Sequence, residues 1–282
     1  MSDALPRALV FGAGRGARSL LGFIRQKYRV IALLDNDEEK WGTLVEGIPV
    51  CGPHTVLETA YDCIVIAANC GFASIVDQLT GMGVRYERIR TEYPFAAEVP
   101  RVLFLEKLGE LFEAQAVPGC VAEAGVFQGG FAREINRVFP AKRLYLFDTF
   151  AGFDTGDVQF EREHGYSQRE AGYYSAANEA QVLRDMPHPG LCVIRKGYFP
   201  ETAAGLDETF CFVSLDFDLY RPMLAGLEYF VPRMAAGGVI LVHDYFSMEY
   251  RGVKAAVEAF ERKAGPLNLF PVGDLFSIGI RC

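Results

Sequence analysis

The chain has 282 residues, half of them hydrophobic, 22 phenylalanines among them, and a net charge of -8 at pH 7. Such a composition supports one large domain or two of ordinary size and excludes a mainly disordered chain. The acidic balance argues against a nucleic-acid footprint, and no run of about 18 apolar residues predicts a membrane span.

The opening stretch "MSDALPRALVFGAG" enters an apolar strand without a charged leader. A cytoplasmic chain lacking an ordinary secretory signal is therefore expected. Seven cysteines (Cys51, Cys63, Cys70, Cys120, Cys192, Cys211 and Cys282) are odd in number and form no C-x-x-C pair. They read as free thiols in a reducing compartment, several of them buried in apolar runs.

In chain order, "ALVFGAGRGARSLLGFIRQKYRVIALLDND" runs from strand through glycines to a helix and a second strand ending at Asp35. This is one βαβ unit. "GIPVCG", the buried-looking strand "DCIVIAAN", the helix-like "FASIVDQLTGMG" and "YERIRT" complete a small parallel-sheet domain over residues 1–95. "EYPFAAEVP", with two prolines and no clear period, predicts a linker. Val102, Leu105, Leu108, Leu111 and Phe112 recur at helical spacing, so residues 96–117 are expected to be linker and an amphipathic helix.

A second βαβ opening, "CVAEAGVFQGGFAREINRVFPAKRLYLFDTF", begins a domain over residues 118–282 and ends its second strand at Asp148. A long polar and aromatic segment from Ala151 to Asn178 follows; with Tyr166, Tyr173 and Tyr174 it reads as a lid or a solvated loop. Next come the strands "LCVIRKG" and "FCFVSLDFD", the helix "PMLAGLEYFVPRM", the strand "GGVILVHD" and the helix "GVKAAVEAFERKAG". Two strand-like pieces, "LNLFPVG" and "LFSIGI", close the chain. The expected fold class is α/β: two Rossmann-like domains, the second a doubly wound sheet with an antiparallel C-terminal strand pair.

Two glycine-rich turns carry chemistry. Gly12, Gly14 and Ala17 fit G-x-G-x-x-A after a strand, and Asp35 stands at the next strand end, so a dinucleotide such as NAD is one candidate ligand. In the second turn Glu123 ends a strand before Gly125, Gly129 and Gly130, without the spacing of a dinucleotide fingerprint. A flat, charged nucleoside suits this turn better, with Asp148 placed for two ribose hydroxyls. Asp216 and Asp218 end one later strand, His243 and Asp244 another. In open α/β sheets the ligand crevice lies beyond the carboxyl ends of the strands, so these four groups are expected to converge. Alternation along an extended strand would put Asp216 and Asp218 on one face. Carboxylates so gathered suit a hard divalent cation. His164 is a spare acid/base candidate, whereas His54 and His188, beside prolines, read as surface residues.

"LLDNDEEKWGTLVEGIPVCGP" resembles the nucleotide-binding-type N-terminal domains attached to sugar-modifying enzymes, where the domain is often accessory. "VAEAGVFQGG", "LYLFDTFAGF", "KGYFPET" and "LDFDLYRPMLAGLEYFVPRMAAGGVILVHDY", in that order, are similar to the macrocin O-methyltransferase (TylF-like) family of class I sugar methyltransferases. The resemblance implies S-adenosylmethionine as donor, a divalent cation (Mg²⁺, or Mn²⁺) and methyl transfer to a sugar hydroxyl of a small molecule or glycan. It places the donor at Glu123, Gly125, Phe127, Gly129, Asp148, Thr149, Gly197, Phe199 and Asp216. The metal falls on Asp216, His243 and Asp244, and the general base on Asp218. Where the family pattern reads "DDY", this chain has His243-Asp244-Tyr245, a softer donor set that also suits Mn²⁺, Fe²⁺ or Zn²⁺. The competing expectation is an NAD- or sugar-nucleotide-binding protein whose first domain carries the function. A homo-oligomer is left open.

Overall fold

The structure is a computed structural model describing residues 5–68 and 72–282, so Cys70 lies outside the described residues. The chain divides into two compact units, Met1–Glu98 and Val99–Cys282.

In the first unit, β1 (Arg7–Phe11), α1 (Arg15–Lys27) and β2 (Arg29–Leu34) form the expected βαβ unit. The short hairpin β3 (Leu44–Val45) and β4 (Ile48–Cys51) follows, then α2 (Thr55–Glu58), β5 (Cys63–Ile66), α3 (Phe72–Gly81) and β6 (Ile89–Arg90). The sheet runs β3-β4-β2-β1-β5-β6, parallel except for the β3–β4 pair. Every residue of β5 is buried, as a parallel strand covered on both faces requires.

The expected linker is helical. Helix α4 (Glu92–Ala114) takes in the whole of "EYPFAAEVP" and carries Pro100 within it. Pro94 stands in the first turn, where no intrahelical N–H bond is required, so it starts the helix instead of breaking the chain. Leu105, Leu108 and Phe112 are buried as the period predicts, but Leu111 faces outward, 54% exposed.

The second unit continues through β7 (Cys120–Ala124), α5 (Gly130–Val138), β8 (Leu144–Asp148), α6 (Thr155–Glu163), α7 (Glu179–Asp185) and β9 (Cys192–Lys196). After these come β10 (Phe210–Leu215), α8 (Tyr220–Phe230), β11 (Met234–Val242), α9 (Arg251–Ala264), β12 (Leu269–Pro271) and β13 (Ile278–Arg281). The sheet order is β12-β13-β11-β10-β7-β8-β9; only β13 and β12 run antiparallel to their neighbours. From β7 the chain winds outward to β8 and β9, then returns to add β10 and β11 on the other side. The reversal makes the β7–β10 boundary a topological switch point, where open α/β sheets open a ligand crevice. The two faces are covered by separate apolar clusters, one around Phe147, Phe210, Phe230 and Val257, the other around Leu105, Phe131, Phe212 and Leu241.

Within the segment read as lid or loop, α6 is regular helix. Asp154 caps it, accepting from Gly156 N–H at 2.7 Å and Asp157 N–H at 3.3 Å. All six described cysteines are free thiols, Cys63 and Cys211 fully buried.

Candidate active site

The register of three neighbouring strands brings the acidic residues together. Leu215 of β10 lies opposite Ala124 of β7 and Val242 of β11. One residue further the ladder persists: Asp216 N–H donates to Ala124 O at 2.8 Å and His243 N–H to Leu215 O at 2.9 Å. Gly125, Asp216 and His243 therefore leave the sheet side by side. The chain approaches itself so closely there that a Cβ on Gly125, whose φ is +92°, would stand 2.6 Å from the Asp216 carbonyl carbon. Only glycine fits.

Alternation does not place Asp218. Strand β10 stops at Leu215, and Asp218 has φ +61° in a tight turn where Leu219 N–H donates to Phe217 O at 2.7 Å. The turn re-aims the Asp218 carboxyl toward Asp244. Asp244 itself has φ +59°. Phe127 (+48°) and Phe150 (+51°) share this region, so four of the seven described non-glycine residues with positive φ belong to the loops just past the ends of β7, β8, β10 and β11. Such conformations cost of order 1–3 kcal/mol each and persist where surrounding structure imposes them, often at active sites.

His243 is the centre of the cluster. Its Nδ1 lies 2.7 Å from Asp244 Oδ2 and 3.0 Å from Asp216 Oδ1. Burial alone would lower the imidazole pKa, but the charges of Asp216 and Asp244 outweigh it and hold His243 well above its ordinary value. Asp216 also meets Arg101 Nη1 at 3.5 Å. Burial would raise the Asp216 carboxyl; His243 and Arg101 bring it below the ordinary range. Asp218 goes the other way, raised well above the ordinary range by burial, by the charges of Asp244 and Asp216 and by a hydrogen bond with Asp244. Donor atoms of Asp216, His243 and Asp244 lie within 4.8 Å of one another, close enough to share one metal ion.

Glu123, in β7, is 2% exposed, and its Oε2 has no hydrogen-bond partner among the described residues. Burial, then the nearby Asp216 charge, raises its carboxyl well above the ordinary range. Asp148 is occupied otherwise: its Oδ2 accepts the N–H groups of Val126 (2.7 Å) and Phe127 (2.8 Å), and its Oδ1 that of Phe150 (2.6 Å). It thus fastens the glycine turn between β7 and α5.

The remaining expected donor residues fall into two groups. Phe127, packed edge-on against Tyr174 with ring centroids 4.8 Å apart, and Gly129, the left-handed cap of α5, stay on this turn. Gly197 N–H donates to Asp148 O at 2.9 Å, extending the β8–β9 ladder. Thr149 Oγ1 is engaged locally, donating to Gly152 O and accepting from Ala151 N–H. Phe199 points into the core against Phe147, Phe217 and Phe230.

Of three further side chains near the cluster, Tyr174 belongs to the aromatic segment expected as a lid or loop, whereas Arg101 and Tyr250 carry no sequence signal. Arg101 reaches Asp216 across 115 residues and lays its guanidinium 4.2 Å above the Phe131 ring. Tyr174 and Tyr250 bring their hydroxyls within 3.4 Å of each other, and both phenols are raised by burial first and then by the charge of Asp218. His164 is exposed and stacked on Phe160 at 3.9 Å, apart from these groups; His54 and His188 are exposed too.

In the first unit, Asp35 accepts Ala13 N–H at 3.0 Å and pairs with Lys40 at 3.2 Å. Burial would raise its carboxyl, but backbone donors and Lys40 bring it below the ordinary range. The acid that a dinucleotide fingerprint would offer to ribose is here engaged by its own turn.

Comparison with known proteins gives two family matches. Residues 100–269, more than half the chain, match the family described as Macrocin-O-methyltransferase (TylF), and residues 5–90 match C2185-like, N-terminal. The 8-demethyl-8-(2,3-dimethoxy-alpha-L-rhamnosyl)-tetracenomycin-C 4'-O-methyltransferase of Streptomyces olivaceus is 29% identical over 143 residues, covering 47% of this chain and 55% of that protein. Demethyldecarbamoylnovobiocin O-methyltransferase of Streptomyces niveus is 26% identical over 159 residues, 52% of this chain and 60% of its own. The chain thus spans somewhat over half the length of these curated relatives. Among solved structures, the O-methyltransferase NovP matches with a TM-score of 0.55 at 21% identity, covering 74% of this chain and 97% of that one. The calicheamicin methyltransferase CalS11 matches at 0.52 and 20%, covering 76% and 86%. At those identities the likeness is one of fold. Among the described residues, no helix is long and apolar enough to cross a membrane.

Proposed function

The chain belongs to the macrocin O-methyltransferase (TylF) family, and from that premise we propose that it transfers a methyl group from S-adenosylmethionine to a sugar hydroxyl, the acceptor being a glycosylated natural product, a sugar nucleotide or a glycan. The observation carrying this reading is the meeting of Asp216, Asp218, His243 and Asp244 at the switch point, beside Glu123 and the Asp148 turn. One relative's name carries a rhamnosyl group, which supports the acceptor class.

In this reading the donor lies over the β7–α5 turn. Gly125 keeps the floor low. A carboxylate accepts about four hydrogen bonds, and Asp148 has given three to the backbone, so it retains room for one ribose hydroxyl. The unpartnered Oε2 of Glu123 suits the donor's cationic end, whose approach would let the buried carboxyl ionise.

Asp216, His243 and Asp244 fit a divalent cation by donor type and spacing, two carboxylates and an imidazole. A cation held there would polarise an acceptor oxygen and offset the charges of Asp244 and Asp216 that raise the Asp218 carboxyl. Asp218, re-aimed by its turn, takes the hydroxyl proton as oxygen attacks the methyl carbon in line with the departing sulfur. Such proton transfer contributes a factor of about 10² to 10⁴. Tyr174 and Tyr250, whose phenols feel the Asp218 charge, would limit water around that carboxyl.

Mass spectrometry of candidate acceptors (free sugars, sugar nucleotides and glycosylated aromatic compounds) incubated with donor tests the proposal. One methyl added to one acceptor class, with S-adenosylhomocysteine formed, is expected. Thermal stabilisation by NAD and not by S-adenosylhomocysteine, with no methylation, would refute it.

A further inference from the structure

Glu161 takes no part in the chemistry above, yet it is a carboxylate only 1% exposed. It projects from α6 to the N-terminal ends of two other helices. Its Oε1 accepts Tyr220 N–H, the first residue of α8, at 2.7 Å. At the start of α9, a Cβ on Gly252 would lie 2.6 Å from Oε1 and 2.7 Å from Oε2, so the carboxylate rests against the helix start and a side chain there would have to push it aside. Neither helix has a side-chain cap of its own: Leu219 precedes α8 and Tyr250 precedes α9, both without a capping bond.

Those two helix starts frame the base. Asp218, held at φ +61°, is two residues before Tyr220, and Tyr250, whose phenol feels the Asp218 charge, is two residues before Gly252. We propose that Glu161 is a positioning residue, an anionic cap shared in trans by α8 and α9 that holds the Asp218 turn and Tyr250 in register. The inference rests on the methyl-transfer reading for its effect on turnover, but not for the cap itself.

Helix N-termini favour an anion, and burial opposes it. The groups facing Glu161 are Asp157 and His164 of its own segment, Tyr220 N–H of α8 and the Gly252 backbone of α9. Burial dominates, and the carboxyl is pushed up to about 7. The carboxyl therefore gains its charge, and its bond to Tyr220 N–H strengthens, as pH rises through neutrality.

Glu161→Gln keeps the shape and removes the ionisation. At pH 8 we expect kcat to fall about tenfold, the scale of a small misplacement of a catalytic group, with donor KM and S-adenosylhomocysteine affinity within about twofold of wild type. The limb of the kcat profile near pH 7 should vanish. In parallel, nitrogen NMR of tyrosine-labelled wild type should show the Tyr220 amide titrating with a midpoint near pH 7. A Tyr220 amide that does not titrate there, or a folded variant with wild-type kcat and profile, overturns the proposal. The amide titration decides the matter if the variant does not fold. If wild type transfers no methyl, the functional reading fails while the amide still reports on the cap.

Discussion

Gly125 and Asp216 meet backbone to backbone: at φ +92°, Gly125 leaves space for the Asp216 carbonyl that any side chain would fill. That contact joins the proposed donor turn to the strand end carrying a candidate metal ligand and the proposed base. Gly125→Ala should destabilise the protein by about 3 kcal/mol, from overpacking plus the strained φ. Calorimetry with S-adenosylhomocysteine should show lost or greatly weakened binding in whatever fraction still folds. Near-normal melting and binding would place the turn elsewhere.

Asp218→Asn removes the proposed proton acceptor and lies outside the β7–α5 turn. Turnover should fall by a factor of about 10² to 10⁴ while donor affinity by calorimetry stays within about twofold. Near-normal turnover would remove Asp218 as base.

Chelator treatment should abolish activity, and individual divalent ions should restore it selectively. Because the His243 imidazole must shed its proton to ligate, and is then a softer donor than a carboxylate, Mn²⁺ should serve at least as well as Mg²⁺, and His243→Asp should move the preference toward Mg²⁺. Full activity in the chelator would leave Asp216, His243 and Asp244 as direct substrate contacts.

Much of this geometry is legible in the sequence. Short, largely apolar, β-branched and aromatic runs such as "FCFVSL" and "GGVILV" read as covered strands, and an acid just past such a run sits at the crevice by topology. What escaped depends on contacts distant in sequence. Arg101 lies on a helix whose local pattern says nothing of Asp216, and Asp218 is aimed by one left-handed residue instead of by strand alternation. Helix α6 had a readable signal, Asp154 as N-cap, hidden by the polar, glycine-bearing composition around it. The segment "EYPFAAEVP" misleads because a proline in the first turn of a helix looks, in sequence, like a break.

Stability should carry the mark of Glu161. Its folded-state pKa is raised, from 4.5 to about 7, so the folded state binds the extra proton; the contribution is full below about pH 4.5 and is lost as pH rises through about 7. The shift corresponds to about 3 kcal/mol as an upper figure. Denaturant unfolding at pH 5 and pH 8 should therefore show a larger loss for wild type than for Glu161→Gln. Equal losses would mean that Glu161 titrates like an ordinary surface carboxylate.

The most direct measurement follows a donor carrying a carbon-13 methyl group by NMR, in the presence of the protein and an accepted glycoside. The expected result is an O-methyl signal on the sugar growing in step with S-adenosylhomocysteine, absent with Asp218→Asn. Donor that stays unconsumed with every sugar acceptor, or label that lands on nitrogen, sulfur or carbon, would contradict a sugar O-methyltransferase centred on these strand ends.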